Sequence, residues 1–124
     1  MISLLGVAAA SAAEVPEGVL YQIFGSSSTE ASRTHDWEPL AGHQTSVIGT
    51  VTGVETPGLL NPYYIVTMDG RTEDLQFLCL LPQDKAMADI AQRLRKGDRF
   101  TCQGILENYA YIWGTAAIYI HYGK

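Results

Sequence analysis

The stretch from Leu75 to Gly104 constrains the fold more than any other, because it joins two strand patterns through one short, well-punctuated helix pattern. Leu75, Phe77, Cys79 and Leu81 alternate along L-Q-F-L-C-L-L, and Leu78 and Leu80 make the second face apolar too, so this strand is expected to be largely buried. Pro82 stops the ladder because it has no N–H to donate, and Asp84 stands where a carboxylate can cap the first free amides of a helix. Met87, Ile90, Ala91 and Leu94 then recur at helical spacing as one apolar stripe. Arg93, Arg95 and Lys96 suit the negative end of the helix dipole, and Gly97 offers a left-handed stop. A strand pattern resumes over Asp98 to Leu106, with Phe100, Cys102 and Gly104 on one face. A single helix of about three turns is therefore set into an otherwise β-rich chain.

The flanking patterns supply the remaining strands. Val47, Gly49, Val51 and Gly53 alternate with Ile48, Thr50, Thr52 and Val54, a first strand whose glycines permit strong bending. T-P-G-L-L-N-P at 56–62 reads as a loop, Tyr63 to Met68 as a second strand, and Asp69-Gly70 as a hairpin into the strand at 75. Glu107, Asn108 and Tyr109 are expected to turn the chain into a fifth strand over Tyr111 to Tyr122. There Ile112, Gly114, Ala116, Ile118 and Ile120 would face one way, and Tyr111, Trp113, Thr115, Ala117, Tyr119 and His121 the other. Three strands, a helix and two strands predict an all-β class, a five-stranded OB-fold Greek-key barrel with one α-helix between strands 3 and 4. At 124 residues this is one core, with the OB-fold domain at 46–124 and an N-terminal extension at 14–45.

Ahead of the extension, Ile2 to Ala13 (I-S-L-L-G-V-A-A-A-S-A-A) resembles the hydrophobic half of a secretory signal, with a small-x-small site ending at Ala12 or Ala13. On that reading the mature chain starts at Ala13 or Glu14 and is exported to a periplasm or cell surface; the alternative is a buried N-terminal helix. The run is far too short to span a bilayer. Within 14–45, Val19 to Phe24 form an apolar cluster suited to a strand or a helical turn, and G-S-S-S-T-E-A-S reads as a loop. Ser26 to Ser28, His35, Asp36 and His43 are residue types that hydrolases and metal sites use, but no spaced motif fixes their geometry, so neither catalysis nor a metal is expected.

Formal net charge is −5, and it is uneven: residues 1–46 hold five acids against Arg33, while 47–124 hold eight acids and seven bases. A neutral to acidic surface lacks the phosphate-neutralising term that tight nucleic-acid binding generally uses. With no carboxylate pair, phosphate loop or cysteine cluster, the chain is expected to be non-enzymatic and without a cofactor.

G-T-V-T-G-V at 49–54, Y-Y-I-V at 63–66, the strand carrying Cys79, the helix ending in K-G-D at 96–98, and F-T-C-Q-G at 100–104 resemble the tRNA_anti-like OB-fold domains of small exported bacterial proteins. The resemblance covers about 46–122, and its name implies nucleic-acid binding. In OB-folds ligands lie on strands two and three between the loops that join strands one to two and four to five. That geometry nominates Tyr63, Arg71, Gln76, Asn108, Tyr109 and Tyr111 as ligand-binding residues, with Leu59, Leu60 and Asn61 in the first loop. The aromatics there are either stacking platforms or rings half-buried against the helix or the N-terminal segment. The acidity favours an exported binding module for a protein or envelope component, within a secretion or conjugation assembly, over a single-stranded nucleic-acid binder.

Cys79 and Cys102 fall on inward faces of strands three and four. Export makes a disulfide the natural first reading. Strands three and four of such a barrel are not ladder neighbours, however, and a bridge needs Cα atoms within about 7 Å, so both are expected to be reduced core residues without a catalytic role.

Overall fold

The computed structural model describes residues 14–123. The elements in chain order are β1 (Glu14–Val15), α1 (Glu17–Ile23), α2 (Glu30–Trp37), β2 (Gln44–Glu55), β3 (Tyr64–Asp69), β4 (Leu75–Leu81), α3 (Lys85–Arg93), β5 (Arg99–Ile112) and β6 (Thr115–Tyr122). The leader-like run at 2–13 lies outside the described residues.

Long β2 closes the sheet. Its first half pairs with β5, from Gln44 opposite Ile105 to Thr50 opposite Arg99, and its second half pairs with β3, from Thr50 opposite Asp69 to Glu55 opposite Ile65. With β3 on β4, β4 parallel to β6, and β6 on β5, five strands form a closed ring. Such closure leaves no long edge for another chain to extend. β3 approaches β2 closely at Gly49: a Cβ there would sit 2.7 Å from Met68 Cβ and 2.8 Å from the Asp69 carbonyl oxygen. Val47, Val51, Val66, Met68, Phe77, Leu106, Ile118 and Ile120 are buried inside the ring, each the alternate residue of its strand.

Helices seal both ends. At the end where β4 finishes, Asp84 Oδ1 accepts the Met87 N–H at 2.9 Å, and Ala91 is buried while Met87, Ile90 and Leu94 pack against the core. The helix stops at Arg93, three residues earlier than a Gly97 stop implies. Leu94 is already extended (φ −72°, ψ 140°), and Asp98 Oδ2 takes the Arg95 N–H at 2.8 Å to begin a separate turn. Gly97, at φ 94°, instead donates to the Val51 carbonyl at 2.8 Å and ties the turn to β2. At the opposite end, where β4 starts, the Tyr21 ring meets Phe77 edge-on at 6.3 Å. Thr29 and Ser32 cap α2 reciprocally, each side-chain oxygen accepting the other residue's N–H. Val15, Leu20, Ile23, Phe24 and Trp37 join the barrel's own apolar cluster, so 14–45 shares one core with 46–124. Parallel β1 extends the sheet beside β2, and Thr45 Oγ1 donates to the Val15 carbonyl at 2.7 Å.

Two expectations are overturned. The first concerns the turn at 107–109. β5 runs straight through it to Ile112, absorbing one extra residue as a register shift between Leu106 and Asn108. The polar Glu107 and Asn108 imitate a turn, yet Asn108 finds Tyr119 opposite it and Tyr109 finds Ile118. The reversal falls instead at Trp113 (φ 56°) and Gly114 (φ 83°), the pair of positive values of a type I′ hairpin. Tyr111 therefore belongs to β5, not to the last strand.

The second concerns the cysteines. Cys79 and Cys102 form a disulfide, with Cα atoms 6.1 Å apart. The premise was sound, since β4 pairs with β3 and β6 and β5 with β2 and β6, so the two strands are not neighbours. Both side chains nevertheless point inward and are fully buried, and the interior of a five-strand ring is narrow enough there for the bridge to cross it.

Two outcomes are expected. Without reductant, thiol titration of denatured protein should find no free thiol, and removing both cysteines should cost about 3 kcal/mol in urea denaturation, for a link across 23 residues. A Cβ at Gly104 would strike the carbonyl oxygen of His121 on the paired strand. Gly104→Ala should accordingly lower stability by about 2–3 kcal/mol in the same assay.

Candidate functional site

The alternation that fills the barrel also defines its outer surface. Register across β3, β4 and β6 aligns Ile65, Leu80 and His121 in one row, Thr67, Leu78 and Tyr119 in a second, and Asp69, Gln76 and Ala117 in a third. β5 continues the rows with Ile105, Asn108 and Ala110. The face is apolar and aromatic at its middle and partly exposed. Leu80 is 7% exposed yet stands apart from the inner core, so its cover comes from its own side of the sheet. No Lys or Arg occupies any of these positions, whereas Asp69 sits at a corner and Glu107 at the β5 bulge.

Tyr63 anchors one end of this surface. Its hydroxyl lies 2.9 Å from His121 Nε2, with the rings edge to face at 4.9 Å. Asn61 holds the backbone beneath it, accepting the Tyr63 N–H at 3.1 Å and donating to its carbonyl at 3.0 Å. His121 Nδ1 is buried without a hydrogen-bond partner among the described residues. Two clefts flank the β5 bulge and share Glu107, one lined also by Leu80, Asn108, Ala110 and Tyr119, the other by Ile105 and His121.

The six residues nominated from sequence do not converge. Tyr63 lies on this face with His121. Arg71 lines a polar cleft at the β3–β4 turn, which Asp69 and Gln76 of the third row also line. The charge of Arg71 is already engaged, with Nε 3.8 Å from Glu17 Oε2 and the guanidinium 4.4 Å above the Tyr21 ring, so it pins α1 to the barrel. Tyr109 packs 4.9 Å from Phe24 and 5.2 Å from Trp37, the half-buried alternative for its ring, while still lining the cleft beside Asn108. Tyr111 lies beneath the Arg33 guanidinium at 3.5 Å. Asn108 and Tyr109 link the outer face to this N-terminal cluster. Sequence reasoning passed over Ile65, Leu78, Tyr119 and His121, although the outward alternation of the last strand already marked Tyr119 and His121.

Other candidates separate likewise. His35 Nδ1 is 3.2 Å from Asp36 Oδ1 on an exposed surface, while the Ser28 hydroxyl accepts from Arg33. Among the described residues no three His, Cys, Asp or Glu side chains are placed to hold a metal, and no helix is long and apolar enough to cross a membrane. Exposed apolar side chains mark the loops: Leu59 and Leu60 at a turn closed between Gly58 and Asn61, and Trp113 at the β5–β6 hairpin.

No family model and no curated protein matches the chain. Among solved structures it is similar to a "putative nucleic acid-binding lipoprotein" from Klebsiella pneumoniae subsp. pneumoniae MGH 78578, at 12% identity and TM-score 0.54, over 90% of this chain and 92% of that one. Two OBodies bound to hen egg-white lysozyme match at 21% and 20% identity with TM-scores of 0.49 and 0.48, each over 65% of this chain and over 78% and 76% of theirs. At such identities the likeness to the Klebsiella protein is one of fold.

Because Tyr109 is wedged between two buried rings, Tyr109→Ala should cost about 3 kcal/mol in chemical denaturation. Tyr63→Ala, which removes one partly exposed ring and its contact with His121, should cost about 1 kcal/mol.

Proposed function

We propose that this chain is an exported, non-enzymatic OB-fold binding module of the tRNA_anti-like type, whose ligand is a protein or another envelope component. The closed five-strand ring, with α3 between β4 and β5, supports the fold assignment. The observation that carries the functional reading is the outer face of β3, β4 and β6. Ile65, Leu78, Tyr119 and the Tyr63–His121 pair make its middle aromatic and aliphatic, and no Lys or Arg occupies its rows. Aromatic and aliphatic side chains free of cations suit a protein surface, where a few such anchors dominate binding energy. The rows of this face carry no cation to neutralise a phosphate backbone. Export is supported by the leader-like run at 2–13 and by the buried disulfide, which persists in an oxidising compartment. A secretion or conjugation assembly is the wider setting this reading suggests.

Single-stranded nucleic acid is the competing ligand, favoured by the description of the Klebsiella structural neighbour. Affinity capture from the native envelope fraction, followed by titration of the captured partner, distinguishes the two. Leu78→Ser and Tyr119→Ala should weaken partner binding about tenfold or more while both variants stay folded, each losing no more than about 1–2 kcal/mol of stability. Fluorescent single-stranded oligonucleotides should bind no tighter than about 100 μM at 150 mM salt. Tight oligonucleotide binding that collapses as salt rises would overturn the proposal in favour of nucleic acid.

A further inference from the structure

Arg33 is nearly buried, at 8% exposure, on the inward side of α2. Its Nη1 donates to both the Ser28 carbonyl, at 3.3 Å, and the Ser28 hydroxyl, at 3.0 Å. One face of the guanidinium is covered by the Tyr111 ring. That leaves the edge formed by Nε and Nη2, which makes no hydrogen bond to the described residues. Nor does any carboxylate come within ion-pair distance of it: the ion pairs among the described residues are His35 with Asp36 and Arg71 with Glu17. A largely buried guanidinium with one edge unpaired and no carboxylate at ion-pair distance is costly, and its retention points to a partner supplied from outside.

The surroundings specify that partner. Arg33 lines a cleft of about 380 Å³ together with Glu30, Thr34, Asn108, Tyr109 and Tyr111. Thr34, Asn108 and the tyrosines bring hydroxyl and amide groups that can donate to an anion. Glu30 in the wall disfavours a doubly charged phosphate. A planar N–H edge, pre-oriented by stacking on Tyr111, matches the two oxygens of a carboxylate. We propose that this cleft binds a single carboxylate, presented by an acidic side chain or by the C-terminus of a protein partner. The site adjoins the outer face, because Asn108 and Tyr109 also line the cleft beside Leu80 and Tyr119. A partner lying over β5 and β6 could therefore place a carboxylate against Arg33.

The protein-partner half of this inference rests on the function proposed above, but the carboxylate site is tested without any partner. Full-chain protein labelled at arginine is titrated in phosphate-free buffer while the Arg33 Nε–H resonance is followed by NMR. The probes are N-acetylglycine, standing for a chain terminus, the α-amide of N-acetylglutamate, standing for a side chain, and inorganic phosphate. At least one carboxylate should move the resonance saturably, with half-saturation on the order of 1–10 mM, and whichever binds tighter identifies the source. Phosphate should bind several-fold more weakly. Arg33→Lys, which keeps the charge and loses the fork, should weaken carboxylate binding about tenfold. Glu30→Gln should strengthen it, because a competing carboxylate leaves the wall. Linear, unsaturable shifts, phosphate binding as tight as carboxylate, or a Glu30→Gln variant that loses stability without gaining affinity would each overturn the site. The last result would make Glu30 the counter-ion of Arg33. None of these failures bears on the outer face, which Leu78→Ser and Tyr119→Ala test separately.

Discussion

Everything else in this protein depends on β2 pairing with two strands at once. Its first half is held by β5 and its second half by β3, and that double engagement converts an open sheet into a ring. Closure divides side chains into two populations, those that fill a narrow apolar interior and those that face outward. The disulfide, the helical seals and the candidate binding face are all consequences of that division. Cys79 and Cys102 can bond only because ring closure points two non-adjacent strands at each other. Ile65, Leu78 and Tyr119 form one surface only because the ring curves β3, β4 and β6 around the same core.

The N-terminal segment is part of this economy rather than an ornament on it. A ring of five strands has two open ends, and an apolar interior exposed at either end would lose burial at about 25 cal/mol for each Å². α3 seals one end, and Phe24, Trp37 and Tyr109 seal the other with three rings in mutual contact. Arg71 and Tyr21 lock the seal in place from the β3–β4 turn: the Arg71 N–H donates to the Tyr21 hydroxyl at 2.6 Å, and its guanidinium covers the same ring. The long β5 serves both purposes, closing the barrel with its first half and carrying Tyr109 and Tyr111 to α1 and α2 with its second. The bulge beside Glu107 separates these halves and is also where the cleft beside Leu80 and the Arg33 cleft meet.

What was legible in the chain was local. Alternation over 75–81, the Asp84 cap, the apolar stripe on α3 and the inward set of Ala116, Ile118 and Ile120 each follow from a few neighbouring residues, because strand and helix periods are properties of the backbone itself. The order of strands and helix, and hence a closed β architecture, could be read from that alone. The acidity of the chain and the near absence of chemical motifs were equally plain. Tertiary structure decided what depends on residues distant in sequence. Glu107 and Asn108 look like a turn until Tyr119 is placed opposite them, and the cysteines look unbridgeable until both point across one narrow interior. Nothing local shows that Tyr109 packs on Phe24 and Trp37, more than seventy residues earlier, and Arg33 looks like a surface charge until Ser28 and Tyr111 sequester it. Periodicity tells a side chain which way to point, but only the folded chain supplies what it points at.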